Sequence, residues 1–221
     1  MMNKKTAILF GATGLTGAHV LQKLVRNERY EKVIVFTRSE PDLKNDKIEI
    51  INTDLEKIGD YANKISGDDV FCCLGTTIKK AGSKENFRKV DFEFPVNIAR
   101  IASNNNVPNF LIISSVGADP KSSNFYLRTK GETEKAVQEF SFKKVVILRP
   151  SMLLGKRKEF RFLEEAGRLI MIPVGFLLRG RLKKYRAIES ERVAEAMVKF
   201  ANITTSKKIF ESHEIELFTK T

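Results

Sequence analysis

A tyrosine and a lysine at helical spacing are the residues of this chain best suited to acid–base chemistry. Tyr126 and Lys130 lie four residues apart in a segment with a helical pattern, so we expect both side chains on one helix face. A nearby ammonium group favours the phenolate form of a tyrosine. Tyr126 can therefore protonate a carbonyl oxygen during reduction and accept the proton in the reverse reaction. Ser115 follows a buried strand and can donate to the oxygen on which negative charge develops.

Tyr-x-x-x-Lys is a weak signal by itself, because an amphipathic helix with an exposed lysine produces the same spacing. A second pattern near the N-terminus supports it. Gly11, Gly14 and Gly17 follow a short apolar strand, 6–10, and precede a helix that starts near Ala18. In this context Gly11 permits a tight turn, Gly14 lets a pyrophosphate approach the backbone, and Gly17 allows close packing of helix on strand.

The helix that follows this turn offers unpaired N–H groups and a partial positive charge to phosphate groups. We therefore predict a dinucleotide site in the turn. The predicted ligand-binding residues of the turn are Gly11, Thr13, Gly14, Leu15, Thr16 and Gly17.

The end of the second predicted strand, 32–37, indicates which dinucleotide binds. An acidic residue commonly follows this strand in proteins that bind NAD, where it accepts from the ribose hydroxyls. This chain has Arg38 there, and no acid occurs before Glu40. An arginine can pair with the 2′-phosphate of NADP(H), although a solvated surface arginine would look the same.

Residues after three other predicted strands complete the expected cofactor site. Asp54 and Leu55 follow strand 47–52 and are expected beside the adenine, and Asp54 can also cap a helix that starts near Leu55. Strand 69–74 leads to a glycine that allows close ligand approach. Strand 144–148 leads to a proline that fixes the turn beside the nicotinamide. The residues predicted at these two places are Leu74, Gly75, Thr76 and Pro150.

The remaining segments are interpreted more coarsely. A helical pattern runs from Ser83, and Pro95 is expected to kink or restart it before strand 109–113. Residues 159–172 are predicted to be helical, Ser190 to cap helix 191–201, and 208–211 and 215–218 to be short strands. The basic cluster from Arg179 to Arg186 fits an anionic substrate, a membrane surface or an ordinary solvated loop.

The length of 221 residues predicts one α/β domain, 1–221, with a substrate-side portion from about 151–190 and 205–221. The net charge is +12, but the lysines are scattered without a basic tail, so we expect no dedicated nucleic-acid function.

Cys72 and Cys73 are adjacent, which argues against a disulfide between them and against a metal site. With no signal-peptide pattern and no apolar stretch long enough to cross a bilayer, the sequence predicts a cytoplasmic protein without an integral membrane segment.

Taken together, the chain resembles the short-chain dehydrogenase/reductase superfamily. Within it, the closest resemblance is to the atypical branch related to the Tat-interacting protein and to the NmrA-like NADP-binding proteins. The motifs that carry the resemblance span about two thirds of the chain, in the family's order. They are Gly11 to Gly17, Phe36 to Arg38, Cys73 to Thr77, Val90-Asp91, Ser114 to Asp119, Ser122 to Glu132, and Leu148 to Pro150.

The resemblance implies a doubly wound Rossmann fold with a mainly parallel sheet of about seven strands and a small C-terminal extension. It also implies an NADP(H) cofactor and a Ser–Tyr–Lys constellation, here Ser115, Tyr126 and Lys130. The serine pair lies slightly closer to the tyrosine than in many members, so Ser114 is the alternative to Ser115. The chain is too short to contain most of the C-terminal substrate domain of extended members, which would bind a nucleotide sugar, and this argues against epimerisation.

The sequence therefore predicts an NADP-dependent oxidoreductase that acts on a small carbonyl or alcohol as a monomer or homodimer. Nucleotide-sugar epimerase or dehydratase chemistry is an alternative that uses the same cofactor. A non-catalytic protein that senses NADP(H) and regulates a partner is a third. The complete serine, tyrosine and lysine set favours an enzyme, because a sensor needs no proton donor.

Overall fold

Seven parallel strands form one sheet within residues 4–155 and 184–220, which are the residues that the computed structural model describes. The strands are β1 (Lys5–Phe10), β2 (Tyr30–Thr37), β3 (Ile48–Asn52), β4 (Asp69–Cys72), β5 (Asn109–Ile113), β6 (Lys144–Arg149), β7 (Leu153–Leu154), β8 (Ile188–Glu189) and β9 (Ile209–Glu211). The sheet has the order β3-β2-β1-β4-β5-β6-β9, and β7 pairs with β8 separately. The order changes direction between β1 and β4, which is where ligands bind in doubly wound folds.

Helices cover both faces of this sheet. They are α1 (Leu15–Arg26), α2 (Ile78–Ala81), α3 (Lys84–Arg88), α4 (Phe94–Asn104), α5 (Phe125–Val137), α6 (Ser190–Ala201) and α7 (Ser212–Lys220), with a 3-10 helix at Leu55–Lys64 and a π-helical turn at Lys89–Glu93. Apolar residues of α1 and α6 pack on one face, and those of α4 and the 3-10 helix pack on the other. The predicted mainly parallel α/β fold of about seven strands is confirmed.

The strands are buried on both faces because they are continuous apolar runs. Successive side chains of a strand point to opposite faces. Leu9 accordingly packs in the α1 and α6 layer, whereas Ile8 and Phe10 pack in the layer of α4. A strand covered on both sides needs no polar positions, which is why the sequence of β1 shows no alternation.

The helical segment interrupted by Pro95 behaves as predicted. The helix α3 ends at Arg88, a π-helical turn follows, and α4 starts at Phe94 with Pro95 in its first turn. Pro95 has no N–H to donate, so the regular α-helical hydrogen-bond pattern is interrupted here, next to the π-helical turn.

Two local predictions are wrong. Ser190 is not an N-cap but the first residue of α6, because β8 holds Glu189 in an extended conformation directly before it. Residues 215–218 are helical in α7 and not a strand. The backbone N–H of Glu211 donates to the side chain of Glu214, which favours a helix start, and the Phe218 ring stacks on Phe200 at 4.2 Å.

Part of the C-terminal third lies outside the described residues. This applies to the predicted helix 159–172 and to Arg179, Arg181 and Lys183 of the basic cluster. Within the described ranges, no helix is both long and apolar enough to cross a bilayer.

Cys72 and Cys73 are free thiols. Burial raises the pKa of the Cys72 thiol to about 12, as expected for a small apolar packing residue.

Candidate functional site

A cavity of about 880 Å³ lies at the carboxyl ends of the central strands. Most residues predicted for the cofactor and for catalysis line it. They are Gly11, Thr13, Gly14, Leu15, Thr16, Arg38, Asp54, Leu55, Leu74, Gly75, Thr76, Tyr126 and Lys130. Parallel strands that end at one edge bring these distant segments together. Gly17, Ser115 and Pro150 are not among the lining residues.

The glycine turn has the geometry that its sequence predicts. Gly11 has a φ of +81°, and a Cβ there would lie 2.6 Å from the carbonyl oxygen of Cys73. The N–H of Gly14 donates to the carbonyl of Gly11 at 2.9 Å and closes the turn. The helix α1 then starts at Leu15 with no side-chain cap and no acid in its first turn. Its first N–H groups and its dipole are therefore available to an anion.

The opposite end of the cavity carries the residues expected near the adenosine. Arg38 is exposed directly after β2. Asp54 caps the 3-10 helix, since its carboxylate accepts from the N–H of Glu56 at 3.2 Å, and it also lines the cavity. Both roles predicted for Asp54 are thus compatible.

The helix α5 holds Tyr126 and Lys130 at the cavity wall. Asn124 caps this helix by accepting from the N–H of Leu127 at 3.1 Å. A side chain at Gly131 would overlap the backbone of Asp119 and Pro120, so the glycine allows the helix to sit against that loop. The Tyr126 ring packs on Phe87, with ring centroids 5.5 Å apart.

Asp91, for which the sequence predicted no role, contacts the lysine. Its Oδ1 lies 2.7 Å from the Lys130 Nζ, and both side chains are buried. Its Oδ2 accepts from the backbone N–H of Thr76 at 2.8 Å. Burial acts to lower the pKa of Lys130, but Asp91 and then Tyr126 raise it by more, so the pKa lies above its ordinary value. The lysine therefore stays an ammonium group while buried.

Of the two serines, Ser114 lines the cavity and Ser115 does not. The Ser114 hydroxyl donates to the Glu134 carboxylate, which also accepts from the Arg149 Nε at 2.9 Å. The Ser115 hydroxyl lies 3.4 Å from the carbonyl of Val116 and is buried. The structure therefore brings Ser114, and not Ser115, to the cavity that Tyr126 and Lys130 also line.

Gly17 and Pro150 act from behind the cavity wall. Gly17 is buried against the turn at Gly11, where a side chain would overlap the carbonyl oxygen. Pro150 is buried, and its carbonyl accepts from the N–H of Val116 at 3.0 Å. Beyond Pro150, Leu153 reaches the cavity.

Asp91 belongs to the Val90-Asp91 motif of the family resemblance, and its spacing also indicates its environment. Asp91 lies four residues after Phe87 and three before Phe94, which places an acid on the apolar face of a helical segment. A charged residue on a buried face is almost always paired. The pattern therefore indicates a buried ionic contact, although it does not name the partner.

Comparison with known proteins agrees with this geometry. The profile of a family described as NAD(P)H-binding matches residues 11–203, which begins at the glycine turn and extends beyond α6. The chain belongs to this NAD(P)H-binding family. A nicotinamide dinucleotide is therefore its kind of cofactor.

Two relatives make the assignment narrower. The chain is 36% identical over 164 residues to the protein HTATIP2 of Rattus norvegicus, covering 72% of this chain and 67% of the relative. It is 34% identical over 200 residues to the mitochondrial protein fmp52 of Emericella nidulans, covering 86% and 84%. The predicted resemblance is confirmed: the chain is a Tat-interacting-protein-like member of the atypical short-chain dehydrogenases/reductases.

Solved structures support the fold independently. MoeE5, solved in complex with UDP-glucuronic acid and NAD, superimposes with a TM-score of 0.69 over 97% of this chain and 81% of its own, at 15% identity. At that identity the match supports the Rossmann architecture alone.

The predicted cytoplasmic location is wrong by these comparisons. Several relatives, including fmp52 of Emericella nidulans, are named as mitochondrial proteins. The expectation rested on reduced cysteines and on the absence of a secretory signal. Free thiols are compatible with any reducing compartment, so these observations do not distinguish a cytoplasmic from a mitochondrial location.

Proposed function

We propose that this protein is an NADP-dependent oxidoreductase that reduces a small carbonyl compound, or oxidises the corresponding alcohol. One observation carries the proposal: Tyr126 and Lys130 share a wall of the cavity that the glycine turn lines. A proton donor is thus placed in the same cavity as a predicted pyrophosphate site.

The residues of the cavity fit a dinucleotide with a 2′-phosphate. The uncapped start of α1 suits the pyrophosphate, and the lack of a side chain at Gly11 leaves the turn tight against β4. Arg38 would hold the 2′-phosphate, since a guanidinium can make two parallel hydrogen bonds to phosphate oxygens. Lys130 would hold the ribose hydroxyls next to the nicotinamide, which supplies or accepts the hydride.

Side chains of the protein would supply the proton that carbonyl reduction requires. In the reduction direction, Tyr126 would donate its phenolic proton to the carbonyl oxygen of the substrate. The buried Lys130 ammonium stabilises the negative charge left on the phenol oxygen. Ser114 lines the same cavity, and the packing of Phe87 on Tyr126 limits where the phenol can move.

The test has a binding arm and a turnover arm. Titration should show tighter binding of NADPH than of NADH, and equal affinities would contradict the NADP assignment. A panel of small aldehydes, ketones and UDP-sugars is then screened for NADPH oxidation. We expect carbonyl reduction that falls about 10²- to 10⁴-fold in Tyr126→Phe with little change in NADPH affinity. Binding without turnover of any compound would instead support a sensor.

A further inference from the structure

A buried carboxylate lies beside the proposed proton-transfer pair. Asp91 is 1% exposed, and its two oxygens have separate contacts, the Lys130 ammonium at 2.7 Å and the N–H of Thr76 at 2.8 Å. A Cβ at Gly75 would lie 3.5 Å from Oδ1 of Asp91 and 3.6 Å from Nζ of Lys130. The ion pair therefore lies directly against the loop that follows β4, where Gly75 lines the cavity.

The backbone of Asp91 is also fixed in place. Pro95 has no N–H, so it cannot donate to the carbonyl four residues earlier, as an α-helix would require. The Thr133 hydroxyl donates to the Asp91 carbonyl instead, at 2.7 Å. The π-helical turn is thereby attached to α5, which carries Lys130. Such turns occur frequently at functional sites.

The charges that face Lys130 are few. Among the described residues that affect its ionisation, Asp91 comes from the π-helical turn, Tyr126 from the same helix and Cys72 from β4. Cys72 is a neutral thiol at physiological pH, because burial raises its pKa to about 12. Asp91 is therefore the anion that offsets the buried ammonium.

We propose that Asp91 is a positioning residue for the proton-transfer pair: it holds the Lys130 ammonium against the loop that follows β4, and it partly cancels the positive charge that Lys130 exerts on Tyr126. The proposal rests on the proposed function of Tyr126 and Lys130. Without the carboxylate, the ammonium would be a buried charge with only the phenol to pair with. Removing the negative charge therefore makes the phenolate easier to form.

The test is a spectroscopic titration of the protein without cofactor or substrate. The phenolate absorbance of Tyr126 is isolated by subtracting the titration of Tyr126→Phe in each background. In Asp91→Asn we expect its midpoint to move to lower pH by about one unit. Asp91→Glu keeps the charge and should restore the parent midpoint. Circular dichroism and the thermal midpoint confirm that each variant is folded.

Glu132→Gln is the matched control, because Glu132 is also an acid paired with a cation, Arg88 at 2.5 Å, and lies on the same helix as Lys130. Its Tyr126 midpoint should stay where it is in the parent. An unchanged midpoint in folded Asp91→Asn, or an equal shift in Glu132→Gln, would overturn the proposal.

The outcome is separable from that of the proposed function. The titration needs no turnover. If the Tyr126 midpoint shifts in Asp91→Asn but the protein reduces no carbonyl, the role of Asp91 is supported and the proposed oxidoreductase function is rejected. With an active substrate, Asp91→Asn should move the alkaline limb of kcat to lower pH in the reduction direction, because the donor must be protonated. If Asp91→Asn is active but the alkaline limb of its kcat profile does not move, the proposed role of Asp91 is rejected and the proposed function is kept.

Discussion

A side chain at Gly17 would overlap the carbonyl oxygen of Gly11, so the first turn of α1 lies against the backbone of the turn that precedes it. Gly17 does not reach the cavity itself. Its contribution is to let the N-terminus of α1 approach the end of β1, where the free N–H groups are needed. The third glycine of the motif is therefore a packing residue that acts on the phosphate site indirectly.

Replacing Gly17 with alanine should damage both folding and cofactor binding. The added methyl group forces α1 away from Gly11, and overpacking of this kind costs about 1 to 3 kcal/mol. We expect a lower free energy of unfolding in urea and weaker NADPH binding. Gly59→Ala is the control, because a Cβ at Gly59 meets nothing within 4 Å. A Gly17→Ala protein with the parent's stability and affinity would show that the helix start adapts without cost.

Arg38 should determine the choice between the two dinucleotides. A hydrogen bond to a charged group contributes about 1.5 to 3 kcal/mol, which corresponds to about 10- to 150-fold in affinity. Arg38→Ala should lose that much affinity for NADPH while NADH binding changes little. Arg100→Ala removes an exposed arginine from α4 as a charge-matched control and should leave both affinities unchanged. Parallel loss for both dinucleotides would mean that Arg38 does not contact the 2′-phosphate.

The sheet was predictable because each central strand is a short apolar run followed by a polar or glycine-containing turn. Tyr126 and Lys130 were predictable because helical spacing alone puts them on one face. The Asp91–Lys130 pair was not, since it depends on how the π-helical turn packs against α5. Residues 215–218 were misassigned because four residues contain too little periodicity to separate strand from helix.

The serine pair shows a different limit. Adjacent residues that continue a strand point to opposite sides, so one of Ser114 and Ser115 must turn away from the cavity. The sequence does not say which, because the answer depends on how β5 pleats against its neighbours. The structure places Ser114 at the cavity.

Ser114→Ala should therefore affect turnover more than Ser115→Ala. The Ser114 hydroxyl donates to Glu134 and would have to turn toward the cavity to reach a substrate oxygen. If it does so, its loss should lower kcat by about 100-fold, the lower end of what such donors contribute. Ser115→Ala should stay within about twofold of the parent, because Ser115 does not line the cavity. Single-turnover reduction of the best carbonyl substrate measures both. A larger loss of turnover in Ser115→Ala than in Ser114→Ala would indicate that Ser115 is the catalytic serine.

Tyr30 should make stability fall at alkaline pH. Its buried hydroxyl donates to Asp69 at 2.7 Å, and burial, followed by the charge of Asp69, raises its pKa far above the ordinary value. The folded protein thus keeps the phenolic proton above pH of about 10, where the unfolded chain loses it. Because the unfolded state then binds fewer protons, the free energy of unfolding decreases as pH rises.

The variant Tyr30→Phe tests this linkage. At pH 7 the variant should be less stable by about 1 to 3 kcal/mol, since Asp69 loses a donor. The deficit should narrow above pH of about 10, because phenylalanine has no proton for the unfolded chain to release. Urea unfolding at pH 7, 9 and 10.5 measures the difference, with Tyr61→Phe as the control at a half-buried tyrosine. A deficit that stays constant across this range would mean that Tyr30 ionises equally in both states.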